Sequence, residues 1–270
     1  MHYFHNIKDC LRILFLSIMF LMLTSCSIIP GIGQFYPGDN WELEKTEHFD
    51  IYYRANSYAE ENLDDIIRVQ EEAYQYIIEQ LNVQFNDTIS IYIYPTPEDA
   101  GWDHIQGLAY NRQKVVLGVY SEKGKSIGVK GASAHEITHV IAWNVIGKPG
   151  TTFLNEGLAV TMDGVWHAVS DPITDLHQWT KKFMDEDKLP TIIEMVNSWN
   201  SFDTLITYPV SGSFVSYLVD EYGMEKFKEM LIEANKYNFN TKCLEIYNRE
   251  LNKLELDWKV YIEDASEYFN

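Results

Sequence analysis

Gly131-Ala132-Ser133-Ala134-His135-Glu136-Ile137-Thr138-His139-Val140-Ile141-Ala142 is the most informative run in this chain. It sets the pattern H-E-x-x-H inside a segment whose apolar residues recur at helical spacing. Four residues make about one helical turn, so His135 and His139 leave the same face, and both bring a ring nitrogen toward one metal ion at about 2.0–2.1 Å. Glu136 projects about 100° further round the helix, beside the ligands and not among them, within reach of a water in the metal's open position. Zinc brings the pKa of such a water to about 7 and polarises a carbonyl, while the carboxylate takes the proton and returns it to a leaving amine. Chance produces the five-residue pattern in roughly one per cent of chains this long, so its surroundings must support it.

A catalytic zinc takes three protein ligands. After the break at Gly147-Lys148-Pro149-Gly150 comes Phe153-Leu154-Asn155-Glu156-Gly157-Leu158-Ala159. A short turn makes the two helices antiparallel neighbours, and sixteen residues between His139 and Glu156 return that carboxylate to the level of the histidines. The expected set is one Zn2+ on His135, His139 and Glu156, with Glu136 as general base. Standing alone, Glu156 would be an ordinary Glu near a helix N-terminus, favoured by the dipole. Asp163, seven residues and two turns beyond Glu156, shares its face and is placed to orient a ligating His from behind. A metzincin would continue with a Gly three and a His six residues after the second His, where this chain has Ala142 and Val145.

These two motifs, H-E-I-T-H and F-L-N-E-G-L-A, resemble those of the gluzincin metallopeptidases, most closely the compact peptidase MA-like branch. The run Tyr208-Pro-Val-Ser-Gly-Ser-Phe214-Val-Ser-Tyr217-Leu-Val-Asp-Glu-Tyr222-Gly223 is similar to that branch's helix ending in Tyr-Gly. Gly107-Leu108-Ala109-Tyr110 resembles the family's N-terminal lobe more loosely. The resemblance implies a zincin-like fold, a peptide or protein substrate, and a phenol at Tyr208 that stabilises the tetrahedral oxyanion. It places Tyr208 just before a helix expected to start at Pro209. It also implies a sheet edge against which an extended peptide pairs, expected at Lys114–Tyr120. His167 and His177 stay unassigned; either could touch substrate, but a lone His is more often an ordinary surface or core residue.

Residues 1–12 carry Lys8 and Arg12, residues 13–23 (ILFLSIMFLML) are apolar except for Ser17, and Leu23-Thr24-Ser25-Cys26 follows. An eleven-residue stretch rises only about 16 Å as a helix against roughly 30 Å of hydrocarbon, so a cleaved export signal is expected and not a spanning helix. The tetrapeptide resembles the bacterial lipobox, which makes Cys26 the expected lipidation site and first mature residue. Residues 1–25 are then a lipoprotein signal peptide, 26–40, with two Pro and three Gly, a tether, and the chain an extracytoplasmic protein held on the bacterial cell membrane. With Cys10 removed and Cys26 acylated, only Cys243 is left, so no intramolecular disulfide forms and Cys243 is expected to be a small core residue.

The 270 residues are 46% hydrophobic and 14% aromatic, which describes a packed protein and excludes a disordered one. The formal charge of -19, with no Lys/Arg cluster, excludes nucleic acid as a partner. His48–Arg54, Thr88–Tyr94 and Lys114–Tyr120 read as strands and Ser57–Leu81 as a helix; from Gly131 onward the chain reads mostly helical. The expected fold class is α+β, residues 41–270 forming one catalytic domain, expected to be monomeric. Its N-lobe of strands and helices, about 41–170, carries the H-E-x-x-H helix; its C-lobe, about 171–270, is helical. The leading expectation is a zinc metallopeptidase. The alternatives are a catalytically silent or weak surface lipoprotein that binds a peptide or other ligand on this scaffold, and a hydrolase of non-peptide amides or esters.

Overall fold

A computed structural model describes residues 38–101, 107–121, 129–164 and 175–266. Cys26, the expected signal and most of the tether, His167 and the expected lobe boundary near 170 lie outside the described residues. Five strands, β1 (Glu42–Lys45), β2 (Phe49–Tyr53), β3 (Ile89–Tyr94), β4 (Gly107–Tyr110) and β5 (Val115–Val119), form one sheet in the order β1-β2-β3-β5-β4. The three central strands are parallel, and β1 and β4 close the two edges antiparallel. A short helix α1 (Tyr58–Glu61) and the long helix α2 (Leu63–Leu81) connect β2 to β3. Parallel strands need such a crossover.

Period-2 patterning explains the sheet and period-3.6 patterning explains α2. Ile89, Ile91 and Ile93 alternate along β3 and are buried on one face with Phe49, Ile51 and Val116. Helix α2 lays Ile66, Tyr74, Ile77 and Leu81 into the same core and stops at Asn82, whose left-handed φ of 47° caps it. Then follow α3 (Val129–Val145), α4 (Thr152–Asp163), α5 (Leu176–Asp185), α6 (Ile192–Ser198), α7 (Thr204–Tyr222), α8 (Met224–Glu233), α9 (Phe239–Tyr247) and α10 (Leu251–Ser266). The fold is α+β, strands first and helices after. No helix of the described residues is long and apolar enough to cross a membrane.

Helix α3 lies between the sheet and α4, so residues 137–142 are all buried, polar Thr138 and His139 included. Thr138 satisfies its hydroxyl within its own helix by donating to the Ala134 carbonyl at 2.7 Å. The reversal into α4 runs through Gly147, at φ 139°, and Gly150, whose N–H donates to Leu231 O. A Cβ at Gly150 would lie 1.9 Å from the Ala234 carbonyl oxygen, so only glycine lets this turn dock on the end of α8. Thr151 then caps α4 by accepting from the Leu154 N–H.

Two expectations are corrected. The strand at 115–119 is interior, flanked by β3 and β4, so the sheet's edge on that side is Gly107–Tyr110. Helix α7 begins at Thr204, not Pro209, because the Asp203 carboxylate caps it by accepting from the Leu205 N–H at 2.9 Å. Pro209 therefore sits inside the helix, where, lacking an N–H, it cannot donate the usual helical hydrogen bond to the Leu205 carbonyl.

Candidate metal centre and active site

Helices α3 and α4 bring the three expected ligands to one point. Nε2 of His135 lies 3.2 Å from Oε2 of Glu156, the two Nε2 atoms are 3.2 Å apart, and Nε2 of His139 is 3.3 Å from the same Oε2. Three ligand atoms at 2.0–2.1 Å on a tetrahedral ion stand about 3.3–3.4 Å from one another. The triangle is thus one face of such a coordination shell, and two imidazoles with a carboxylate are the donors zinc takes. Side-chain exposures of 13%, 9% and 14% leave little water around them.

Electrostatics tie the cluster together. Burial opposes ionisation of Glu156, but the charges and hydrogen bonds of both imidazoles hold its carboxyl far below the usual range. For His135, burial favours the neutral ring, yet the Glu156 hydrogen bond and the charges of Glu136, Glu156 and Asp163 push it up to about 9. Glu136 is raised, first by burial and then by the charge of Glu156, against the lowering pull of the two imidazoles. An elevated carboxylate next to the ligands is suited to taking and returning a proton. Its side chain rests against the backbone of β4 at Gly107.

Helix α7 delivers Tyr208 to the same place. Its ring is 6.0 Å from that of His135, its hydroxyl hydrogen-bonds to Glu156, and burial followed by the charges of Glu156 and Glu136 keeps the phenol protonated. Trp199 packs across it at 5.5 Å and meets Phe153 of α4 on its other flank. Asp163 also comes near, where its contact is with the His135 backbone; burial, aided by the charge of Glu136 and opposed by His135, lifts it to about 7.

One residue of the cluster escapes pattern reading. Asn155 places Oδ1 3.2 Å from Nδ1 of His139 and donates from Nδ2 to Oε1 of Glu156 at 3.2 Å. By accepting from Nδ1–H, Oδ1 fixes the tautomer that leaves Nε2 free for a metal, and holding Oε1 turns Oε2 toward the histidines. A signal was present: Asn disfavours helix interiors, yet it stands beside Glu156 in the run Phe153-Leu154-Asn155-Glu156-Gly157-Leu158, whose other members are apolar or Gly.

His177 is placed elsewhere. Its Nδ1 meets Ser213 Oγ at 2.9 Å, the same hydroxyl accepts from Trp258 Nε1 at 3.0 Å, and the three tie α5, α7 and α10 together. Burial lowers its basicity, so it serves as a neutral packing residue. Cys243 is likewise core, 1% exposed, with burial pushing its thiol up to about 12.

A family model described as the Peptidase MA superfamily matches residues 70–264. Among solved structures, the M1 zinc metallopeptidase of Deinococcus radiodurans aligns at 12% identity and a TM-score of 0.39, over 83% of this chain and 50% of that one. A single-residue mutant of that enzyme gives 12% and 0.40 over 82% and 50%. A two-domain M1 zinc metallopeptidase mutant bound to L-arginine gives 12% and 0.41 over 82% and 51%. The chain spans half the length of these structures. No curated protein matches it.

Proposed function

This chain belongs to the Peptidase MA superfamily, and from that membership we propose that it is a zinc metallopeptidase that hydrolyses peptide bonds of an extracytoplasmic protein or peptide. The observation that carries the reading is the triangle of His135 Nε2, His139 Nε2 and Glu156 Oε2, with sides of 3.2–3.3 Å and Glu136 alongside. A zinc ion held by these three groups would supply a Lewis acid able to acidify a water and polarise the scissile carbonyl. Glu136 would accept the proton of the attacking water at its carboxylate and pass it to the departing amine. Tyr208 donates its hydroxyl hydrogen to the oxygen on which negative charge develops, an interaction of the oxyanion-hole kind. Asn155 keeps His139 and Glu156 turned toward the metal, and the carboxyl of Asp163 anchors the first ligand's backbone.

The outer edge of β4 is the proposed docking line for an extended substrate, because β5 takes its other edge and Gly107 brings its backbone against Glu136. Lipid on Cys26 would hold the monomeric domain at the outer face of the cell membrane. The test is cleavage of an unbiased peptide library by the zinc-loaded protein beside Glu136→Gln prepared identically. Cut sites produced by the wild type alone support the reading; equal cutting by Glu136→Gln rejects it. Zinc bound by a wild type that cuts nothing points instead to a ligand-binding lipoprotein.

A further inference from the structure

Glycine within a strand weakens it, having no side chain to pack and more backbone freedom to lose. Gly107 and Gly118 face each other across β4 and β5 on the side of the sheet that carries Ile93 toward the helices. Neither has the positive φ that favours glycine, so backbone conformation does not require it at either position. They differ in what an added methyl group would meet. At Gly118 it would find nothing within 4 Å; at Gly107 it would lie 2.9 Å from both Cγ and Oε1 of Glu136.

We propose that Gly107 is a positioning residue for Glu136: its missing side chain is the space in which that carboxylate is held. The proposal rests on the reading of Glu136 as general base. The group that Cβ would displace is the end of a side chain and not backbone, so the fold can absorb the change by rotating Glu136. The site cannot, since a shift of about 1 Å in a reacting group costs on the order of 100-fold in rate. Gly107 thus lets the edge strand approach the base closely while leaving that base in place.

The test compares Gly107→Ala with Gly118→Ala in the zinc-loaded protein, by crystal structure, bound zinc and steady-state kinetics. Gly107→Ala is expected to retain one zinc per chain, move the Glu136 carboxylate by about 1 Å or more with the three ligands unmoved, and lower kcat about 10- to 100-fold with KM within about threefold. Gly118→Ala makes the same Gly-to-Ala change in the paired strand and is expected to leave kcat within about twofold. An unmoved carboxylate, a moved one with unchanged kcat, or equal damage from Gly118→Ala overturns the proposal. Should the wild type cleave no peptide, the peptidase reading fails by itself, and the position of the carboxylate still decides whether Gly107 holds its space.

Discussion

The amide of Asn155 touches two of the three metal-facing groups, His139 through Oδ1 and Glu156 through Nδ2. Groups that orient a ligand typically contribute 10- to 100-fold in metal affinity, so Asn155→Ala should weaken zinc binding by about that factor, measured by competition with a chromophoric chelator. An affinity within about twofold of wild type would mean that packing alone orients the ring. The meeting of His135 and His139 was legible because helical geometry converts the spacing of H-E-x-x-H directly into a shared face. The contact of Asn155 with His139 was not, because His139 lies on another helix and no spacing within the segment of Asn155 encodes it. Far from the site, Glu71 accepts from Thr46 Oγ1 at 2.6 Å and the His48 N–H at 3.2 Å, and meets His48 Nδ1 at 2.5 Å, tying the β1–β2 turn to α2. Burial raises its carboxyl, but these bonds outweigh that and leave it below its ordinary value. A depressed carboxyl stabilises the fold above its unfolded pKa of about 4.3, and that contribution disappears as pH falls through the folded value. Urea melts should therefore show Glu71→Gln less stable than wild type at neutral pH, with the gap closing below about pH 4; a gap that persists there would contradict the assignment.

Helices α4 and α7 cross at glycines, and that crossing sets Glu156 and Tyr208 side by side. A Cβ at Gly157 would stand 2.7 Å from the Ser211 carbonyl oxygen, and one at Gly212 would stand 2.8 Å from Val160 Cγ1. Thr161 staples the contact by donating toward the Gly157 and Gly212 carbonyls at 2.7 and 3.0 Å. Overpacking costs typically about 1–3 kcal/mol, so Gly157→Ala, which strikes backbone, should reach the upper part of that range and Gly212→Ala, which strikes side chains, the lower. Thermal denaturation of the two variants reads the order directly, and a reversed order would show that α7 yields more easily than Val160. The long elements were legible: α2, β2 and β3 carry strong periodicity, and β5 is a continuous apolar run. Strands β1 and β4 were not. All of Glu42–Lys45 is exposed, and Gly107–Tyr110 is half-buried on both faces, so neither alternates between apolar and polar. Missing β4 also moved the expected edge one strand inward. The start of α7 was misjudged because Pro209 marks a first turn more often than an interior, while the stronger signal was the Asp203 cap.

At the scale of the molecule, the proposed metal would link binding to folding. Buried His139 and the partly buried His135, Glu136 and Glu156 meet between α3 and α4, where a divalent cation would offset the mutual repulsion of the two carboxylates. A ligand that binds only the folded state at about 100 times its Kd adds about 2.7 kcal/mol, so chelation should lower Tm by roughly 5–10 °C in a domain of this size. Scanning calorimetry with and without chelator measures this, and an unchanged Tm would show that no metal is bound. The central claim is that one zinc on His135, His139 and Glu156 works together with Glu136 to cut peptides. The most direct measurement titrates zinc into the metal-free protein while following cleavage of a substrate peptide. The account predicts a rate that rises to a plateau at one zinc per chain, and a Glu136→Gln protein that binds the same zinc with a plateau lower by on the order of a thousandfold. Cleavage independent of zinc, or an undiminished plateau in Glu136→Gln, would contradict it.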